Sequence, residues 1–124
     1  MNILIDNKNG MPIYEQIYTQ IKNQIISDSL KEDELLPSIR NLAKDLHISV
    51  ITTKRAYDEL EKDGYIYTVA GKGCFVAHKN IELLKEENFR KIEERIQEIA
   101  QLAKIYRLSK NEIIKIIDLV FEEE

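Results

Sequence analysis

The side chains of this chain that can do chemistry are cations and short hydroxyls, gathered into two stretches. From Ser38 to Tyr57 stand Arg40, Lys44, Lys54 and Arg55 against Asp45 alone. From Tyr65 to Lys79 stand Lys72 and Lys79 with no acid at all. Cations at this density neutralise phosphate, and a guanidinium can also pair with the edge of a base. Ser49 and Thr52 add hydrogen-bonding groups between the cations, and Gly71 and Gly73 around Lys72 allow a backbone to approach an anion closely. Other chemistry is thin. One cysteine, Cys74, excludes an intrachain disulfide, and the isolated His47 and His78 do not make a zinc pattern with it. There is no phosphate loop, no Ser-His-Asp or Cys-His arrangement and no convincing carboxylate pair. The expectation is a chain with no catalysis, no metal and no cofactor.

Length and charge agree with a small binding protein. A chain of 124 residues with 44% apolar residues has room for one ordinary domain, or for a small domain and an appendage. The formal net charge of −4 places its acidic excess in Glu32-Asp33-Glu34, in Asp58 to Asp63 and in Glu122-Glu123-Glu124, away from the two basic stretches. A polyanion responds to the local field, so a negative total does not exclude it as a partner. The opening MNILIDNKNG has no apolar core of a signal peptide, and no run approaches the roughly 18 apolar residues of a membrane span. No membrane partner and a cytoplasmic location are expected.

The basic residues need elements to aim them. Pro12 suits the first turn of a helix in which Ile13, Ile17, Ile21 and Ile25 form one buried stripe. An acidic loop, KEDELLP, follows. Ser38 caps a short helix with Ile39, Leu42, Ala43 and Leu46 inward, and His47-Ile48 makes a turn. Ser49 caps the next helix, whose inward residues by spacing are Thr53, Ala56 or Tyr57, and Leu60. Its other face shows Val50, Ile51, Thr52, Lys54 and Arg55, and Gly64 ends it. Tyr65 to Val69 and Cys74 to Ala77 read as two strands of a hairpin with Gly71-Lys72-Gly73 at its tip. That order describes a winged helix-turn-helix, in which the second helix of the pair enters the major groove of DNA.

After Lys79 the pattern changes. Phe89, Ile92, Ile96, Ile99, Ala103 and Tyr106 are spaced as a coiled-coil seam on one helix from about Asn80 to Arg107. Ser109-x-x-Glu112 is a capping-box sequence that starts a last helix. There Ile113, Ile117, Val120 and Phe121, with the apolar residues between them, cover nearly every direction. Such a helix requires a second subunit. No polar cluster interrupts these faces, so no small-molecule effector is expected to be enclosed here.

The motifs PIYEQIYTQIKNQI, LPSIRNLAKDL, TTKRAYDELEKDGYI and GKGCFVA resemble the GntR family of bacterial regulators over residues 11 to 78. The tail LAKIYRLSKNEIIKII resembles the two-helix dimerisation appendage of its short YtrA-type branch. The resemblance implies a mainly α fold with a small hairpin: a winged helix-turn-helix over residues 1–78 and a helical dimerisation region over 79–124. It implies a repressor that binds a double-stranded, inverted-repeat operator as a homodimer. It puts DNA contacts on Arg40, Ser49, Ile51, Thr52, Lys54, Arg55, Gly71, Lys72 and Gly73. Many members carry an arginine and a threonine where this chain has Val50 and Ile51. These apolar side chains suit thymine methyl groups and so A/T-rich half-sites. The competing reading is a winged helix that binds another protein, which would have no need for cations confined to the recognition helix and wing tip.

Overall fold

The computed structural model of the chain describes residues 1–78 and 81–123, with side chains of the second stretch from residue 83 onward. The expected boundary residue Lys79, the expected helix start at Asn80 and the tail residue Glu124 lie outside the described residues. The chain divides into two compact units, Met1–Ile81 and Glu82–Glu124.

The first unit contains α1 (Ile13–Ile26), α2 (Ile39–Leu46), α3 (Val50–Lys62), β1 (Ile66–Val69) and β2 (Gly73–Val76). Ile17, Ile21 and Ile25 of α1 are buried and Ile13 packs at the margin, as their spacing requires. Pro12 precedes α1 as its N-cap rather than occupying the first turn. The buried Gln16 was not foreseen as core. Its amide accepts from the Asp6 N–H and donates to the Asp6 and Met11 carbonyls, each at 2.8 Å. Gln20 exchanges a similar pair with Leu4. With Gln24, which donates to the Asn2 carbonyl at 2.7 Å, three glutamines hold the extended N-terminus on α1 and place Ile3 in the core.

Local signals set the helix-turn-helix. The Ser38 hydroxyl accepts from the Asn41 N–H at 3.1 Å, and that of Ser49 from the Thr52 N–H at 3.0 Å. Between them His47 is left-handed (φ 56°), and the Ile48 N–H closes α2 on the Ala43 carbonyl at 3.0 Å. Both Ala56 and Tyr57 of α3 face inward with Thr53 and Leu60. The buried Tyr57 hydroxyl donates to the Pro37 carbonyl at 2.7 Å, tying α3 to the chain entering α2. Gly64 ends α3 at φ 81°, a conformation that favours glycine.

The hairpin pairs Ile66 with Val76 and Val69 with Gly73. Its pairing reaches one step beyond the named strands, where the Ala77 N–H donates to the Tyr65 carbonyl at 2.9 Å. The acidic connection before α2 is not simply a loop. Val76 exchanges hydrogen bonds with Asp33 and Glu34, Leu36 donates to Cys74, and Leu35 bridges to Phe75. This segment acts as a third short strand along β2.

The second unit contains α4 (Ile81–Ile105) and α5 (Lys110–Glu122). Expected to run to Arg107, α4 stops at Ile105. Arg107 is left-handed (φ 57°) and the Leu108 N–H returns to the Ala103 carbonyl at 2.8 Å, so Tyr106 of the seam lies in the turn. The Ser109 and Glu112 side chains each accept from the other's backbone N–H, forming the expected capping box. The molecule is mainly helical with one small hairpin.

Candidate nucleic-acid interface

The N-terminal turns of α3 project from a helix that the core holds by its opposite face. Val50 and Ile51 are 49% and 82% exposed, an unusual placement for branched apolar residues beside a well-filled core. Lys54 and Arg55 are exposed one turn later, and Thr52 is partly covered. Ser49 is largely committed to its cap, because its hydroxyl also donates to Thr52 Oγ1 at 2.7 Å. Thr52 keeps its own hydroxyl proton for an outside acceptor.

The cations differ in their company. Lys54 Nζ lies 2.7 Å from Asp58 Oδ2, one turn along the same exposed face. The Arg55 guanidinium stacks on the Tyr14 ring of α1, 3.7 Å from its centroid. Arg40, in the first turn of α2, and Lys72, at the wing tip, are exposed and have no ion-pair partner among the described residues.

At the wing tip Gly71 (φ 77°) and Gly73 (φ 122°) flank Lys72, whose N–H donates to the Val69 carbonyl at 2.9 Å. A Cβ on Gly73 would sit 3.1 Å from the end of the exposed Leu35 side chain, which can yield, so it is the backbone conformation that calls for glycine there. Tyr67 and Phe75 stack across the strands, ring centroids 5.5 Å apart. The Thr68 hydroxyl donates to Glu61 of α3. A side-chain cluster at Asp33 holds the wing base: its carboxylate accepts from the Tyr67 hydroxyl at 2.7 Å and pairs with the His78 ring.

These contacts shift three titrations. Hydrogen bonds from His78 and then Tyr67 hold the Asp33 carboxyl below its ordinary value. The bond to Asp33, with the charges of Asp33 and Glu32, pushes His78 up. Tyr67 is raised by its bond to Asp33. Apart from these, burial raises the Tyr57 hydroxyl, so it stays a donor to Pro37.

Sequence reasoning missed the Asp33 cluster and the Tyr14–Arg55 stack. The capping and spacing signals report neighbours along one helix, whereas both missed features join residues from 34 to 45 positions apart.

In the second unit Phe89, Ile92, Ile96, Ile99, Tyr106, Ile117, Val120 and Phe121 are exposed, Phe89 to 67% and Phe121 to 73%. Ala103 is buried and Ile113 partly covered. Ile96, Ile99, Ile113 and Ile117 line a half-open groove of about 370 Å³ between α4 and α5, with Lys104 and Lys110 also in its lining. Among the described residues no group of three His, Cys, Asp or Glu side chains is placed to hold a metal, and no helix is long and apolar enough to cross a membrane.

Residues 13–76 match the profile of bacterial regulatory proteins of the gntR family. The HTH-type transcriptional repressor YtrA of Bacillus subtilis is 34% identical over 97 residues, which cover 78% of this chain and 75% of that protein. A GntR family transcriptional regulator from Listeria monocytogenes has the same fold with a TM-score of 0.72 at 31% identity, over 90% of this chain and 96% of its own. The AraR(DBD), solved in complex with operator ORX1, gives a TM-score of 0.55 at 26% identity, over 62% of this chain and 96% of its own. With α1, the helix-turn-helix and the wing all inside the matched span, the chain belongs to the GntR family of bacterial regulatory proteins.

Proposed function

We propose that this chain is a sequence-specific DNA-binding transcription regulator, a repressor acting as a homodimer on an inverted-repeat operator in the cytoplasm. The observation that carries this reading is the exposed start of α3. Val50 and Ile51 face outward, followed by Lys54 and Arg55, on a helix capped at Ser49 and anchored through Tyr57. The first turns of such a helix enter the major groove, where cations meet phosphates and base edges and branched side chains meet thymine methyls. Arg40 and Lys72 flank it as phosphate contacts, and the glycines at the wing tip admit the backbone. The likeness to a domain solved on its operator, and to a relative named as a repressor, supports the same reading. No catalytic role is proposed.

Residues 79–124 are proposed as the dimerisation region, with residues 1–78 as the DNA-binding domain. The exposed apolar side chains of α4 and α5 form a surface that water disfavours and a second copy would cover. The α4–α5 groove falls within the roughly 300–1,000 Å³ range of ligand pockets. Its lining is almost wholly aliphatic, so the partner's side chains are proposed to fill it rather than an enclosed effector.

Retardation of duplex DNA at two salt concentrations tests this function. Binding that prefers one sequence and weakens steeply with salt supports it. Equal affinity for all sequences, or no salt dependence, contradicts it.

A further inference from the structure

Arg55 differs from its neighbour Lys54 in what holds its charge. Lys54 Nζ is paired with the Asp58 carboxylate at 2.7 Å, whereas the Arg55 guanidinium lies over the Tyr14 ring at 3.7 Å. A carboxylate partner occupies donors and offsets the positive charge. An aromatic face does neither, because it meets the flat side of the guanidinium while the N–H groups point outward in its plane. Arg55 has no carboxylate partner among the described residues, although Glu15, Glu59 and Asp63 line a groove beside Tyr14. Its hydrogen-bonding edge is therefore unspent. The platform is also fixed: Tyr14 packs against the core, and its hydroxyl donates to Glu15 Oε1 at 3.1 Å. A long side chain with high rotamer freedom is thus held in one orientation before any DNA arrives.

We propose that Tyr14 of α1 is a positioning residue for DNA readout, presetting Arg55 with its donor edge free for a bidentate contact to a base edge in the groove. The proposal rests on the DNA-binding function above and adds that α1, which otherwise builds the core, sets part of the sequence preference of α3. Lysine at position 55 cannot substitute, having no planar fork and no flat face to stack.

The test uses the full chain and a duplex enriched by it from a randomised pool, with a scrambled duplex of equal composition as reference. Tyr14→Leu is expected to weaken the enriched duplex by about threefold to tenfold, the range of an aromatic–cation contact, and the scrambled duplex much less. The salt slope should stay as in the wild type, because no phosphate contact is lost. Tyr14→Phe should restore most of the preference, and Arg55→Lys should not. In an Arg55→Ala background Tyr14→Leu should have no further effect. If Tyr14→Leu costs as much in that background, or weakens both duplexes equally, Tyr14 acts through the fold and the proposal is overturned. It is likewise overturned if Tyr14→Leu binds the enriched duplex as the wild type does. A wild-type chain that enriches no sequence removes the DNA-binding function itself, a result separate from these.

Discussion

At the scale of single residues, the cations divide by what they are free to touch. In the proposed function Lys54 and Arg55 read base edges, so Lys54→Ala or Arg55→Ala should cost about 1–3 kcal/mol of operator affinity and relax sequence preference. Lys72, on an exposed glycine-flanked tip, should weaken all sequences alike when changed to alanine and flatten the salt dependence. Competition binding with matched and scrambled duplexes separates the two classes. Asp58→Ala should tighten binding at low salt, since it releases Lys54 and removes a negative charge beside the groove-facing turns. The Asp33–His78 pair adds a pH dependence. His78 lies above its ordinary 6.5, so its contribution to stability is full below 6.5 and fades as pH rises through the raised value. Asp33 lies below its ordinary 3.8, so its contribution is full above 3.8 and fades as pH falls through the lowered value. The brace at the wing base is therefore strongest between these limits. Nuclear magnetic resonance titration of His78 should show a raised midpoint in the wild type and a lower one in Asp33→Asn, where only Glu32 still raises it. Identical midpoints in the two proteins would contradict the brace.

At the scale of elements, the local signals were the readable ones. Ser38, Ser49 and Ser109 each cap the helix expected of them, and the isoleucine ladder of α1 and the inward face of α3 lie where their spacing places them. Cap and period are properties of a few adjacent residues, and tertiary packing had no reason to override them. The unread parts depend on partners far along the chain. The acidic connection looks like a solvated loop from its charges, yet its backbone pairs with β2 because Leu36 must reach the core. The end of α4 was misplaced because an arginine, not a glycine, takes the left-handed position that stops it. In the candidate interface the exposed residues of α3 were legible from the helix period, whereas the stack that orients Arg55 was not. The capping box makes a direct prediction: Ser109→Ala should lower the stability of the C-terminal helices by about 0.5–2 kcal/mol, read as a lower urea midpoint at fixed protein concentration. An unchanged midpoint would mean that α5 is held by its apolar face alone.

At the scale of the whole molecule, the proposed function divides the work between the two units, one reading DNA and the other pairing chains. The first has a closed core and presents Val50 and Ile51 at the exposed start of α3. The second leaves most of its isoleucines and both phenylalanines, Phe89 and Phe121, exposed in the single chain. Light scattering should therefore give twice the chain mass at micromolar concentration, and Ile117→Glu should shift it toward the single-chain value. A dimer implies symmetry in the DNA: two inverted half-sites whose centres lie about one helical turn, roughly 34 Å, or a multiple of it apart. The apolar start of α3 points to thymine-rich positions within each half-site. The most direct test of a dimeric, sequence-reading regulator is selection of bound duplexes from a randomised pool by the purified full-length chain. The expected result is one enriched inverted repeat with A/T-rich half-sites, lost on Ile51→Glu. Enrichment of no sequence, or of a single half-site without its inverted partner, would contradict it.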